Sequence, residues 1–217
     1  MGSGGPVTLA RSRPRSATAL DAVAKPAKGW HHDPMEQAAD PFAKVRAATL
    51  AHRAKHGCGA WPYGNGALLG TLAAAADAKR ILELGTALGY TALSFAHAAP
   101  NAVVDTVERD AEHVRLARGH IAAAGMDGRV VVHEGDFAEV LLGLQPGYDL
   151  AFFDGHTPVP KLHAALHRLL RPRGVLVTAN LNHGGTANAV CQALLDPQVW
   201  RTAFVDEGRE TAISIKL

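Results

Sequence analysis

The chain is expected to fold as an α/β protein with a doubly wound, mostly parallel seven-stranded sheet and a C-terminal antiparallel hairpin strand. Three observations carry that expectation. Short apolar runs recur from Arg80 onward, separated by segments of helical length and spacing. The runs are apolar along nearly their whole length, as strands buried on both faces must be. The last two, WRTAFVDEG and TAISIKL, lie close enough to pair as a hairpin. Strands alternating with helices in this way build a parallel sheet with helices on each face.

The elements follow in order. Asp33-Pro34 and Asp40-Pro41 each read as a cap plus the first helical residue. PFAKVRAATLAHRAK, from Pro41 to Lys55, has helical apolar spacing, and ALLGTLAAAADA reads as a second helix. Between them lies a loop rich in Gly, Trp and Pro, HGCGAWPYGNG. Then come the strand RILEL and helix GYTALSFAHAA, the strand AVVDTVE and helix DAEHVRLARGHIAAAG, which Gly125 closes. RVVVHEG precedes a short helix from about Phe137 to Leu144, and YDLAFFDG precedes PKLHAALHRLL. GVLVTAN and GTANAVCQALL lead to the two final strands.

With 217 residues, one domain with a single core is the default. A formal net charge of +2 gives no general case for nucleic acid or an anionic membrane. No apolar run is long enough to span a bilayer. Cys58 and Cys191 are too far apart for a disulfide framework or a metal-ligand spacing, which suits reduced thiols in the cytoplasm. Residues 1–32 read as a flexible basic arm, with Arg11, Arg13, Arg15, Lys25 and Lys28 against Asp21 alone. Residues 33–217 read as the single domain, 33–78 as an N-terminal helical lid and 79–217 as the core.

Open parallel sheets bind ligands outside the carboxyl ends of their strands, so polar residues there matter most. Four strand ends carry them: Glu83 before the turn Gly85-Thr86-Ala87-Leu88-Gly89, Glu108 in VERD, Glu134 to Phe137 in EGDF, and Asp154 to His156 in DGH. A phosphate loop is excluded, because Tyr90 stands where a lysine would follow Gly89. A dinucleotide turn is excluded too: Gly85 and Gly89 have no glycine in the middle position, and Glu83 would repel a pyrophosphate. A nucleoside carrying a positive sulfonium suits the same residues, with one carboxylate near the cation and another at the ribose.

The stretch ILELGTALGYTALSFA resembles the first motif of class I S-adenosylmethionine-dependent methyltransferases. It is most similar to the O-methyltransferase family that includes catechol and caffeoyl-CoA O-methyltransferases and their bacterial relatives. The likeness continues through VERD, GDF, YDLAFFDG, LLRPRGVLVTANL and TAISIKL, so it covers Gly66 to Leu217. It implies a Rossmann-like methyltransferase fold. It also implies that Glu83, Gly85 and Thr86 cradle the methionine moiety, with Gly89, Tyr90 and Thr91 completing the turn and helix start. Glu108 then binds the ribose, Gly135, Asp136 and Phe137 flank the adenine, and Asp154 sits beside the cofactor. Each has a structural alternative: Glu83 and Asp136 as helix caps, Glu108 as a solvated strand end, Phe137 and Tyr90 as core.

Two departures from the family bear on mechanism. Metal-dependent members show Asp-Asn after the fifth strand, and these ligate Mg²⁺ together with the aspartate after strand four. Here the pair is Ala179-Asn180, leaving Asp154 and Asn180 as the remaining ligands. Losing a carboxylate weakens a hard-cation site, so the divalent cation is expected to be absent. A lysine taken as a base in bacterial relatives is replaced by Thr157. His156 and His183 are therefore the expected catalytic bases, with Lys161 and His163 as weaker alternatives. Trp61 and Tyr63 are expected to wall the acceptor pocket.

The resemblance implies a homodimer that methylates a small hydroxylated molecule, with phenols among the expected acceptors. Two alternatives stand beside it: a tRNA methyltransferase using the basic arm, and a cofactor-binding homologue without turnover.

Overall fold

The computed structural model describes residues 1–2, 40–205 and 208–217. All but the first two residues of the basic arm, and the Asp33-Pro34 cap, lie outside the described residues. In chain order the elements are α1 (Ala43–His56), α2 (Gly66–Ala75), β1 (Arg80–Leu84), α3 (Tyr90–Ala98), β2 (Val103–Glu108), α4 (Ala111–Ala123) and β3 (Val130–Glu134). They continue as α5 (Phe137–Gly143), β4 (Tyr148–Phe153), α6 (Pro160–Leu169), β5 (Leu170–Thr178), α7 (Thr186–Leu194), β6 (Trp200–Phe204) and β7 (Ala212–Lys216).

The seven strands form one sheet in the order β3-β2-β1-β4-β5-β7-β6. β1 to β5 pair in parallel, while β7 runs antiparallel to both β5 and β6. This is the doubly wound mixed sheet that the apolar runs predict. The chain winds outward from β1 in one direction and returns to β4 in the other. The switch in strand order therefore falls between β1 and β4, and a crevice opens above their carboxyl ends.

The alternating pleat divides the core. Ile81, Val104 and Phe152 pack with Leu93 and Phe95 of α3 on one face. Leu82, Leu84 and Phe153 pack with Leu141, Leu166 and Trp200 on the other. Glu83 shares the face of Ile81, which places its carboxylate under α3 rather than in solvent.

Two of the boundaries that differ from the sequence reading have a clear local cause. The first helix begins at Ala43, because Asp40 Oδ1 accepts a bond from the Phe42 N–H (2.9 Å) and holds Pro41-Phe42 in a turn. β5 begins at Leu170 rather than Gly174. Leu170 pairs with Tyr148 across a register shift, and Arg173 adopts a left-handed φ of 65°. A bulge of this kind accommodates Pro172 inside a strand, which local pattern reads as a turn.

Candidate functional site

Glu83 is fully buried at the carboxyl end of β1. One oxygen accepts from the Thr91 hydroxyl at the start of α3; the other accepts from Thr106 of β2 at 2.6 Å. Glu83 and Thr106 face each other in register, and the Thr106 hydroxyl also meets Thr86 at 2.5 Å. Burial pushes the Glu83 pKa up to about 7; the two hydroxyls oppose the rise and Glu108 adds to it. Glu83 thus lies beneath the turn and fastens β1, β2 and α3, and it does not line the cleft above.

The turn itself is shaped by glycine. Gly85 has φ 110°, and a Cβ there would stand 2.7 Å from the Asp154 carbonyl oxygen. No other residue lets the backbones after β1 and β4 approach so closely. Gly89 has φ 93° and precedes the first turn of α3.

Glu108 ends β2 and lines the cleft. Its Oε2 accepts from the Ala87 N–H (2.9 Å), and its Oε1 accepts from Arg109 (2.9 Å) and Asp110 (3.0 Å). The carboxylate is therefore aimed before any guest arrives. Asp136 caps α5 by accepting from the Ala138 N–H at 2.8 Å, and Phe137 packs on Phe153. Both also line the cleft, so each serves helix and cleft together.

Asp154 follows β4. Burial, then the nearby carboxylates of Glu83 and Glu210, raises its pKa well above the usual carboxylate range. A buried carboxyl and a half-buried one at the cavity wall, each resisting ionisation in the other's presence, form a place where a guest cation is welcome, because it relieves both.

The cleft, of about 510 Å³, holds Gly85, Glu108, Asp136, Phe137, Asp154 and His156. A second cavity of about 1080 Å³ adjoins it through Asp154, Gly155 and His156, and reaches Asn180, His183 and Glu210. Trp61 and Tyr63 wall this second cavity, as expected of the loop after α1. The Arg53 guanidinium stacks 3.5 Å over the Trp61 ring, and Tyr63 packs edge-on against Phe152.

His156 and His183 come together there, with ring centroids 5.5 Å apart. The His183 Nδ1 lies 2.8 Å from the His156 carbonyl oxygen. A carbonyl oxygen only accepts, so Nδ1 carries a proton, and in the neutral ring the lone pair is on Nε2.

Several expected residues stand outside both cavities. Thr86 and Thr91 belong to the buried hydroxyl cluster around Glu83. Tyr90 donates to Asp40 Oδ2 at 2.8 Å and packs in the core; burial first, then Asp40, raises its pKa to about 12. Gly135 donates its N–H to the Glu108 carbonyl at 2.9 Å and fixes the β2–β3 ends. His163 is corrected as a base: it is a buried core residue on α6, bonded to Thr178 at 3.0 Å, and burial lowers its pKa to about 4. Lys161 is exposed on α6 away from the lining. Glu210 is the cavity residue that the sequence reading missed, because it lies in the β6–β7 connection, far along the chain from Asp154.

Mg²⁺ takes oxygen ligands in octahedral geometry. Ala179 is buried and offers no side-chain oxygen. The Asn180 amide nitrogen donates to the Gly155 carbonyl at 2.7 Å, leaving only its Oδ1 beside Asp154. Asp154, the Asn180 Oδ1 and the Glu210 carboxylate are then the side-chain oxygens at this end of the second cavity, with none at the Ala179 position.

The fold and strand-end acids define a class I methyltransferase-like architecture. The O-methyltransferase family profile matches residues 39–199, and the chain belongs to that family. A relative from Mycolicibacterium vanbaalenii, provisionally named an O-methyltransferase, is 32% identical over 86% of this chain and 77% of its own length. A catechol O-methyltransferase from Mycobacterium tuberculosis is 36% identical over 55% of this chain; the match spans 56% of that relative, just over half its length. The fold matches an O-methyltransferase of tomaymycin synthesis from Streptomyces achromogenes in complex with S-adenosylmethionine. That match has TM-score 0.69 and 23% identity, over 81% of this chain and 88% of the other. Among the described residues, no helix is long and apolar enough to cross a membrane.

Proposed function

We propose that this chain is an S-adenosylmethionine-dependent O-methyltransferase acting on a small hydroxylated molecule, without need of Mg²⁺. The observation that carries the proposal is the pairing of two adjoining cavities. One is lined by a pre-aimed carboxylate and an adenine-side helix start, the other by two histidines and aromatic walls. Glu108 receives the ribose hydroxyls, and Asp136 and Phe137 receive the adenine. Glu83 and Asp154 favour the sulfonium: Asp154 from the cleft, Glu83 through the turn it supports.

The chemistry is an in-line displacement. The acceptor oxygen forms a bond to the methyl carbon while the carbon–sulfur bond breaks, and the electron pair leaves on the now neutral sulfur. The acceptor hydroxyl loses its proton to His183 Nε2, with His156 holding the tautomer through its carbonyl. Alignment of the two cavities supplies the proximity that the step requires. The relative named catechol O-methyltransferase supports phenolic acceptors, and the aromatic walls Trp61 and Tyr63 suit a planar ring. A homodimer in the cytoplasm is part of this reading.

The test is transfer of labelled methyl from S-adenosylmethionine to a panel of phenols, catechols and carboxylates, with bulk tRNA as a parallel acceptor. Methylated phenol or catechol with equimolar S-adenosylhomocysteine supports the proposal. Label in tRNA alone refutes it, as does cofactor binding without turnover on any acceptor.

A further inference from the structure

One cluster of ligand-type side chains lies outside the machinery described above. His52 of α1, Cys58 of the following loop and His113 of α4 each offer one ligand atom, and these atoms all lie within 4.8 Å of one another. They come from two segments of the chain: His52 and Cys58 are close in sequence, and His113 lies about sixty residues beyond His52. The placement has local causes. Asp110 caps α4 by accepting from the Glu112 and His113 N–H groups (2.9 and 3.0 Å), which sets His113 in the first turn. Gly57, at φ 65°, ends α1 and turns the chain so that Cys58 comes back beside His52. The His52 and His113 rings meet edge to face with centroids 5.2 Å apart, and His113 is almost wholly buried.

We propose that His52, Cys58 and His113 form a binding site for a thiophilic divalent cation, zinc above all. Two imidazoles and a thiolate suit zinc and do not suit Mg²⁺ or Ca²⁺, which take oxygen. Zinc holds nitrogen at about 2.1 Å and sulfur at about 2.3 Å, so tetrahedral ligand atoms stand roughly 3.5 Å apart. The ligand atoms, all within 4.8 Å of one another, stand within little more than about 1 Å of that spacing. Three protein ligands leave a fourth position open beside the cleft, which Cys58 and His113 also line.

The site would clip the N-terminal segment to the core. Glu108 stands beside it, with Oε1 3.9 Å from His113 Nδ1, longer than a hydrogen bond. By fixing His113, the cation would fix the wall beside this carboxylate. This inference concerns binding and does not depend on the O-methyl transfer proposed above.

The experiment is a titration of the full chain, reduced and stripped with chelator, with Co²⁺ as the spectroscopic probe. One equivalent is expected, with a thiolate-to-cobalt charge-transfer band and the strong visible bands of tetrahedral cobalt, and Zn²⁺ should displace it. C58S should abolish the charge-transfer band, and H52N should weaken Co²⁺ binding at least tenfold. Both positions are only half-buried, and circular dichroism checks that each variant keeps the fold. C191S and D154N should leave the band intact. No charge-transfer band in the wild-type chain, a band that survives C58S, or a band lost in C191S would overturn the proposal.

Discussion

The two adjoining cavities are built in opposite ways. On the cofactor side, the groups sit at strand ends and are held by the backbone. Glu108 takes three main-chain N–H bonds, and Glu83 is locked by two hydroxyls from neighbouring elements. On the acceptor side, His156, Asn180 and His183 sit on loops after β4 and β5, and each is held by about one bond to another loop. A cofactor that never changes can be met by a preformed frame. Under the proposed function the acceptor is met by loops, which tolerate substitution without disturbing the sheet.

Substitutions can break this contrast. Replacing both His156 and His183 with Ala should lower kcat by about 10²- to 10⁴-fold, the usual contribution of a positioned base. Cofactor affinity, read by calorimetry, should fall far less than kcat: neither histidine holds the strand-end frame, although His156 also lines the cofactor cleft. An equal loss of cofactor affinity would show that the two regions are not separate.

Glu108→Gln should do the reverse. Its amide presents a donor to backbone donors, and charged hydrogen bonds are worth about 1.5–3 kcal/mol each. Cofactor affinity should fall by about ten- to a hundredfold, a drop of 1.4 to 2.7 kcal/mol or so, with the acceptor KM nearly unchanged.

Thr106→Val tests the buried brace. It leaves a Glu83 oxygen without its partner in a dry site, at a cost of about 1–3 kcal/mol of stability by denaturant unfolding. No loss would mean that the hydroxyl cluster does not hold the turn.

The smallest effect concerns pH. Glu83 holds its proton up to about pH 7 when folded, against an ordinary value of 4.5. The native state therefore binds more protons than the unfolded chain between those values, so this group's contribution makes stability fall as pH rises through that window and level off above it. A cationic cofactor should reverse the shift and release protons on binding. Affinity for S-adenosylmethionine should then rise with pH up to about 7, by at most about tenfold per unit, and level off above it. Calorimetry in buffers of different ionisation enthalpy reads the released proton directly.

Much of the frame was legible in the sequence because it is local. Apolar runs mark strands, and an acid at the end of a run lands at the sheet's carboxyl edge without further information. That is how Glu108, Asp136 and Asp154 could be placed in the cleft from pattern alone. What the pattern could not supply was the direction a side chain takes once helices pack. Glu83 turned under α3 because it shares the pleat face of Ile81, and Tyr90 reached back fifty residues to Asp40. His163 was invisible as a core residue because its partner Thr178 lies on the next strand. The His52, Cys58 and His113 cluster was missed by counting cysteines alone. The spacing of His52, His56 and Cys58 was a signal, but α4 had to fold beside α1 to complete it.

The central claim is that a histidine, rather than Mg²⁺, removes the acceptor's proton. The direct measurement is the initial rate of phenol or catechol methylation at saturating cofactor. Protein stripped with chelator and reloaded with Zn²⁺ alone is compared with the same protein given Mg²⁺ in addition. Equal rates are the predicted result. A rate that appears only with Mg²⁺, and survives loss of both His156 and His183, would contradict the account.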